Sequence, residues 1–158
     1  MYSRVLVAID GTEIGERVLA HAISLARISQ SRLMLVHVLP PSDQSCESHT
    51  ILTSSHSPSH SLGQGQLDVM RDYWGKVMAA GVLADFRLPC GHPGEEICEL
   101  AQRWGADLIL MGHRNCPEVI GLNSISRYVL DHAPCPLMIL PQHVEFSLTQ
   151  PNRFIVAR

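Results

Sequence analysis

A continuous apolar run, Val5–Ile9, ends abruptly at the segment Asp10–Glu13, and this junction constrains the fold more than any other sequence feature. Strands that are buried on both faces, as in parallel sheets, are unbroken runs of aliphatic and β-branched residues. In the segment that follows, Gly11 permits a tight turn, Thr12 can cap a helix, and Glu13 suits the positive end of a helix dipole. The junction therefore predicts a buried parallel strand that leads directly into a helix.

The same alternation of apolar run and helical periodicity recurs along the chain. Further strands are predicted over residues 32–37, 84–88, 107–111 and 136–140. Helices are predicted over residues 13–29, 67–80 and 124–132, and another is predicted to begin at Pro93. The first helix places its apolar residues at helical spacing, at Ile14, Val18, Ala22, Leu25 and Ile28. Strands that alternate with helices predict an α/β three-layer sandwich, a parallel sheet with helices on both faces.

In a doubly wound sheet, ligands bind at the carboxyl ends of the strands where the strand order reverses. If the first strand is central, this crevice lies beyond Ile9 and Met111. The two loops that border it are residues 10–13 and 112–123. These two loops are therefore where we expect a binding site.

The charge balance and the N-terminal sequence limit the classes of partner. The net charge is −3, with 17% charged residues, so the chain lacks the cationic field that nucleic-acid binding requires. The apolar run near Met1 is too short for a signal peptide or a membrane span. We therefore expect a cytoplasmic protein that binds neither nucleic acid nor membrane.

The 158 residues suit one domain, predicted over residues 1–141. Within it, residues 42–65 are rich in Ser and His and are predicted to form a long mobile loop. Residues 142–158 form a C-terminal extension with two short apolar pieces, 144–148 and 154–156. These pieces could pair with a partner chain or pack on an edge of the sheet.

The polar loop holds a set of soft and imidazole side chains that could bind zinc or copper: Cys46, His49, His56 and His60. Their spacing is loose and serines surround them, so a solvated loop without metal is the expectation. The five cysteines of the chain form no C-x-x-C pair, which predicts reduced thiols. The sequence also lacks a G-x-x-x-x-G-K-[ST] loop and a G-x-S-x-G elbow, so we expect no enzymatic activity.

Four segments resemble the universal stress protein family in the same order along the chain. Val5–Thr12 resembles the first strand and turn of that family, and Leu35–Pro40 the end of its second strand. Gly105–Gly112 resembles its fourth strand, and Tyr128–Leu140 its closing helix and strand. The resemblance covers about residues 3–141 and implies five parallel strands in the order 3-2-1-4-5. A generic flavodoxin-type or nucleotide-hydrolase-type sandwich is the alternative.

The resemblance also implies where a nucleotide would bind. Members that bind ATP have a glycine, two residues, a glycine, nine residues and then Gly-Ser or Gly-Thr after the fourth strand. In such a motif, successive backbone N–H groups and a helix N-terminus bind phosphate. The implied positions of this chain are Ala8, Ile9, Asp10, Val38 and Met111 around the nucleoside, and Gly112, Asn115, Asn123, Ser124 and Ile125 along the phosphate loop.

The phosphate loop departs from that pattern. Asn115 and Asn123 replace two glycines, and the interval from Gly112 to Asn123 is two residues shorter than in the ATP binders. Pro117 lacks an N–H, and the charge of Glu118 opposes phosphate. These changes predict no tight ATP binding and no bound cofactor. Because asparagine tolerates a left-handed backbone, an ATP or AMP sensor with a variant loop stays open as the alternative.

The expected role is therefore that of a non-enzymatic stress-response protein. In relatives the fifth strand commonly lies at the dimer interface, and residues 136–140 are apolar and predicted to form an edge strand. The resemblance implies a homodimer through this strand, with other proteins as further partners.

Overall fold

The computed structural model describes residues 2–41, 64–113, 124–142 and 155–157 of the chain. Strands and helices alternate through most of it. In chain order they are β1 (Arg4–Ala8), α1 (Glu13–Ser29), β2 (Arg32–Val36), α2 (Gln64–Ala79), β3 (Ala84–Arg87), α3 (Pro93–Trp104), β4 (Leu108–His113), α4 (Ser124–His132), β5 (Leu137–Pro141) and β6 (Ile155–Ala157).

These strands form a six-stranded sheet in the order β3-β2-β1-β4-β5-β6. The first five are parallel, and β1 lies at the centre, where Val5 pairs with Leu33 of β2 on one side and with Leu108 of β4 on the other. The predicted α/β sandwich and the implied strand order 3-2-1-4-5 are confirmed. β4 extends two residues beyond its predicted end, because Gly112 and His113 pair with Leu140 and Pro141 of β5.

The central strand distributes its side chains between two apolar cores, one on each face of the sheet. Val5, Val7 and Ile9 belong to the core beneath α1 and α2, whereas Leu6 belongs to the core beneath α3 and α4. Successive side chains of a strand point to opposite faces, so an unbroken apolar run supplies both cores. Val5, Leu6 and Val7 are fully buried, as that run predicts.

Two details of the predicted helices are wrong. Ile28 was expected on the buried side of α1, but its side chain is 79% exposed. It lies in the last turn, just before Gln30 takes a left-handed conformation and ends the helix, so it projects past the edge of the core. α2 begins at Gln64, so the last two residues of the predicted loop 42–65 are helical, while residues 42–63 lie outside the described part of the chain.

The C-terminal extension contributes β6 to the edge of the sheet. This strand is antiparallel to β5, with Ile139 opposite Ile155 and Leu137 opposite Ala157. Of the two roles expected for the apolar pieces of the extension, packing on the sheet edge is seen for the second piece. The first piece lies outside the described residues. None of the described helices combines the length and the apolar character that crossing a membrane would need.

Candidate functional site

A cavity of about 240 Å³ opens at the carboxyl ends of the three central strands. β1, β2 and β4 end at the same edge of the sheet because they are parallel. After β1 the chain enters α1. The residues around the cavity are Ala8, Ile9, Asp10, Ile14, Gly15, Val36, His37, Val38, Pro93, Ile97, Met111, Gly112 and Ile125.

Seven of the ten predicted site residues lie around this one cavity. They are Ala8, Ile9, Asp10, Val38, Met111, Gly112 and Ile125. Ser124 is the exposed first residue of α4 and is not among the lining residues. Asn115 and Asn123 lie outside the described residues, as do Cys46, His49, His56 and His60. Whether the seven residues bind a ligand stays a prediction.

The Asp10 carboxylate is held in place by the residue two positions later. Its Oδ1 atom accepts hydrogen bonds from the Thr12 backbone N–H at 3.1 Å and from the Thr12 hydroxyl at 2.6 Å. Thr12 occupies the N-cap position of α1 but makes no side-chain capping bond there. The predicted N-cap position is therefore confirmed, but the side-chain capping bond is absent because the hydroxyl donates to Asp10 instead.

His37 extends the polar part of the cavity, and its lining role was missed from the sequence. Its Nδ1 atom lies 2.9 Å from the Ile9 carbonyl oxygen. A carbonyl oxygen only accepts, so Nδ1 carries a proton and donates it to this bond. The bond between His37 and the Ile9 carbonyl also has a structural role. It ties the end of β1 to the end of β2 beside Asp10.

The backbone of Val38 faces the cavity with a donor and an acceptor. His37 and Leu39 donate their N–H groups towards the β3 side, to Arg87 and Pro89. In a parallel strand, the backbone groups of successive residues point to opposite neighbours, so those of Val38 point to the β1 side. β1 has already ended at Ala8, so the N–H and C=O of Val38 face the crevice.

Two glycines shape the wall formed by α1. A Cβ on Gly112 would lie 2.5 Å from Cγ1 of Ile14, so α1 can approach β4 only because this position has no side chain. A Cβ on Gly15 would lie 3.2 Å from Oδ1 of Asp10 and 3.5 Å from the hydroxyl of Tyr73. Gly112 was predicted for its approach to phosphate, but its contact with α1 explains its small size without a ligand. A glycine in the first turn of a helix was the signal that could have identified Gly15.

The opposite wall is apolar and comes from α3 and α4. Ile97 and Met111 are each 4% exposed, and Ile125 is 36% exposed at the start of α4. Gly94 allows α3 to contact α4, since a Cβ there would lie 2.7 Å from the ring of Tyr128. This wall was predicted only in part, because Pro93 and Ile97 come from a helix that does not follow the central strands directly.

Tyr73 lies behind Asp10 in the core of α1 and α2. Burial raises the pKa of its phenol, and the carboxylates of Glu16 and Asp10 raise it further, while Lys76 lowers it. The phenol therefore stays protonated at neutral pH and can act as a hydrogen-bond donor. The described residues contain no group of three or more His, Cys, Asp or Glu side chains that could hold a metal ion.

Comparisons with known proteins agree with the geometry. A sequence model described as the universal stress protein family matches residues 1–141. Universal stress protein Sll1388 of Synechocystis sp. is 29% identical over 153 residues, covering 90% of this chain and 99% of that protein.

Two solved structures share the fold. A universal stress protein in complex with cAMP has a TM-score of 0.65 at 21% identity and covers 90% of this chain and 98% of its own. A protein of the same family from Arabidopsis thaliana, with AMP bound, has a TM-score of 0.62 at 18% identity and covers 92% and 95%.

Proposed function

The chain belongs to the universal stress protein family, and we propose that it is a non-enzymatic stress-response protein that binds an adenine mononucleotide in the crevice. AMP is the preferred ligand in this proposal, and ATP binds no more tightly. The observation that carries it is the cavity at the ends of β1, β2 and β4, with an oriented carboxylate at its mouth.

The inner part of the cavity suits a purine ring. Its walls are apolar, from Ala8, Val36 and Met111, and the N–H and C=O of Val38 face it. The amino edge of adenine offers one donor next to one acceptor, which complements a backbone N–H and C=O. Guanine places a carbonyl where adenine has its amino group, so the same backbone edge would discriminate against guanine.

The mouth of the cavity suits a ribose. Asp10 accepts two hydrogen bonds from Thr12 through Oδ1, so its carboxylate is already oriented when a ligand arrives. A carboxylate is a strong acceptor for ribose hydroxyls, and an oriented acceptor loses less entropy on binding. His37, whose Nδ1 donates to the Ile9 carbonyl, also lines the cavity.

The preference for one phosphate over three is inferred from the cavity and from the loop sequence. A cavity of about 240 Å³ is smaller than the range of about 300–1,000 Å³ that is usual for ligand sites. In the loop, Asn115 and Asn123 replace glycines, Pro117 removes one N–H donor, and Glu118 adds a negative charge. The second and third phosphates of ATP would therefore gain little binding free energy from this loop. The relatives with bound AMP and cAMP support a mononucleotide as ligand.

We propose binding without catalysis because the ionisable side chains of the wall are held by hydrogen bonds within the protein. Asp10 is engaged by Thr12, and Nδ1 of His37 is engaged by the Ile9 carbonyl. Both groups are thereby oriented for recognition. The proposed output of binding is a change in contacts with partner proteins.

Titration calorimetry with AMP, ATP and GMP in the presence of Mg²⁺ tests the proposal. We expect AMP to bind, ATP to bind no more tightly than AMP, and GMP to bind more weakly. Asp10→Asn keeps the size of the side chain and an acceptor for Thr12 but loses the charge. Because a hydrogen bond to a charged group contributes about 1.5 kcal/mol or more, AMP affinity should fall about tenfold.

Asp68→Asn is the matched control, because the side chain of Asp68 is 68% exposed on α2. This variant should bind AMP like the parent protein. If AMP gives neither heat nor a thermal shift at millimolar concentration, nucleotide binding is wrong. If ATP binds tenfold more tightly than AMP, the preference for one phosphate is wrong.

A further inference from the structure

The sixth strand of the sheet lies outside the part of the chain that matches the family. That match ends at residue 141, and β6 is formed by Ile155–Ala157 in the C-terminal extension. Without β6, the strand β5 would be the edge of the sheet. The extension therefore covers an edge that residues 1–141 leave open.

An open β5 edge would be a strong site for pairing with another strand. β5 is held in an extended conformation by its pairing with β4 along Leu137–Pro141, and its residues Leu137, Ile139 and Leu140 are buried. Its outer N–H and C=O groups would then form an ordered row without partners, which is a template for another chain. The cover supplied by β6 is short, since it pairs with Leu137, Met138 and Ile139 but not with Leu140 or Pro141.

A second copy of this chain fits that edge by symmetry. When two identical edge strands meet across a two-fold axis perpendicular to the sheet, they pair antiparallel. The pairing of β6 with β5 is also antiparallel. Both occupants would use the same outer backbone groups of β5, so they exclude each other.

We propose that β6 competes, within each chain, with a second copy for the β5 edge. The chain is a monomer while β6 is bound, and it forms a dimer through β5 once β6 is released from both copies. If β6 is bound to β5 about ten times more often than it is free, about one copy in ten has an open β5 edge. Because a dimer needs an open edge on both copies, the apparent dimer affinity falls about 100-fold. The partner is thus a second copy, and the extension sets its affinity. This inference is independent of nucleotide binding.

A double proline substitution, Val156→Pro with Ala157→Pro, tests the proposal in the full-length chain. In an antiparallel pair, the N–H groups of successive residues point to opposite sides, so one of these two residues donates to β5. Proline removes both donors. The matched control is Val156→Thr with Ala157→Thr, which keeps both N–H groups and adds a β-branched residue at position 157.

Sedimentation velocity over a range of concentrations gives the dimer dissociation constant of each protein. We expect the proline variant to dimerise at least tenfold more tightly than the parent and the threonine control. Since the Pro136 carbonyl faces β4, the amides of Leu137 and Ile139 face β6. Hydrogen exchange should show these two amides losing protection in the variant at low concentration and regaining it at high concentration. A variant that lacks only residues 155–158 should behave like the proline variant, which guards against misfolding caused by proline.

Three outcomes would overturn the proposal. The first is an equal or weaker tendency of both variants to dimerise, and this includes the case in which neither forms dimers. The second is a parent protein that is already dimeric and becomes monomeric when β6 is disrupted, since β6 would then connect two copies. The third is a dimer in which the β5 amides still exchange rapidly, because the copies would then meet at another surface.

Discussion

The two faces of the sheet differ in how closely their helices approach the ends of the central strands. On one face, α1 packs against β4 at Gly112, where a Cβ would be 2.5 Å from Ile14. On the other face, Pro93 and Ile97 of α3 and Ile125 of α4 stand back and leave a cavity over Ala8 and Met111. One face therefore acts as a rigid support, and the other provides the space for a ligand. A substitution that enlarges a side chain should therefore lower stability on the first face and lower ligand affinity on the second.

The largest expected effect is on the closely packed face. Gly112→Ala forces its new methyl group against Ile14 and should lower the free energy of unfolding by about 1–3 kcal/mol. Gly75→Ala is the matched control, because apart from its chain neighbours and the backbone of its own helix, no described atom lies within 4 Å of the added methyl group on this exposed residue of α2. The control should instead raise stability by about 0.5–1 kcal/mol, since alanine favours a helix. Urea unfolding measures both, and similar results for the two variants would contradict the difference between the faces.

On the open face, filling the cavity should remove binding with little effect on stability. Ala8 faces the core of α3 and α4 and lines the cavity, so the larger side chain of Ala8→Leu would enter the space assigned to the ligand. We expect AMP affinity to fall at least about tenfold, with stability within about 1 kcal/mol of the parent protein. Ala20→Leu makes the same change at an exposed position of α1 and should leave AMP binding unchanged. Full AMP affinity in Ala8→Leu would place the ligand elsewhere.

Two thiols belong to the core beneath α3 and α4: Cys98 is buried in it, and Cys135 is half-buried against it. Burial raises the pKa of Cys98, and burial followed by the charges of Asp107 and Cys98 raises the pKa of Cys135 to about 11. A pKa above that of the unfolded chain means that the folded state favours the neutral thiol. This stability is complete below the ordinary thiol pKa of about 9 and is lost as the pH rises towards 11.

The measurement is the free energy of unfolding from pH 8 to pH 11, which we expect to decrease. The double variant Cys98→Ala with Cys135→Ala should show a flatter decrease, although the loss of packing lowers its stability at every pH. Rapid alkylation of Cys98 by iodoacetamide in the folded protein at pH 8 would contradict the burial of this thiol.

The smallest effect is expected at the rim of the packed face. Ile28 is 79% exposed, so Ile28→Lys should change the free energy of unfolding by no more than about 0.5 kcal/mol. Val18→Ala in the same helix removes part of a fully buried side chain and should lower stability by more than 1 kcal/mol. Thermal unfolding compares the two, and an equal loss of stability in Ile28→Lys would mean that the core extends over the end of α1.

Much of the fold follows from local patterns in the sequence. The apolar run before Asp10 identified β1, and periodicity identified α4 over Ser124–His132 with the bounds that the structure has. Seven predicted site residues lie around one cavity because the parallel order brings three strand ends together. Ile28 was misplaced because periodicity gives the direction of a side chain but not where the sheet beneath it ends. The homodimer through the fifth strand stays a prediction, and the β6 variants test it.

Burial on both faces and helical spacing leave a direct record in the order of residues, so the elements and their parallel arrangement could be predicted without a structure. What individual residues do at the crevice emerged from the three-dimensional packing. Thr12 orients Asp10 instead of capping α1, Gly112 makes room for Ile14, and β6 covers the edge of β5. The roles of Gly112 and β6 depend on contacts between segments that are far apart in the chain, and packing sets those contacts. Thr12 and Asp10 are only two residues apart, and their bond depends on how the turn before α1 is folded.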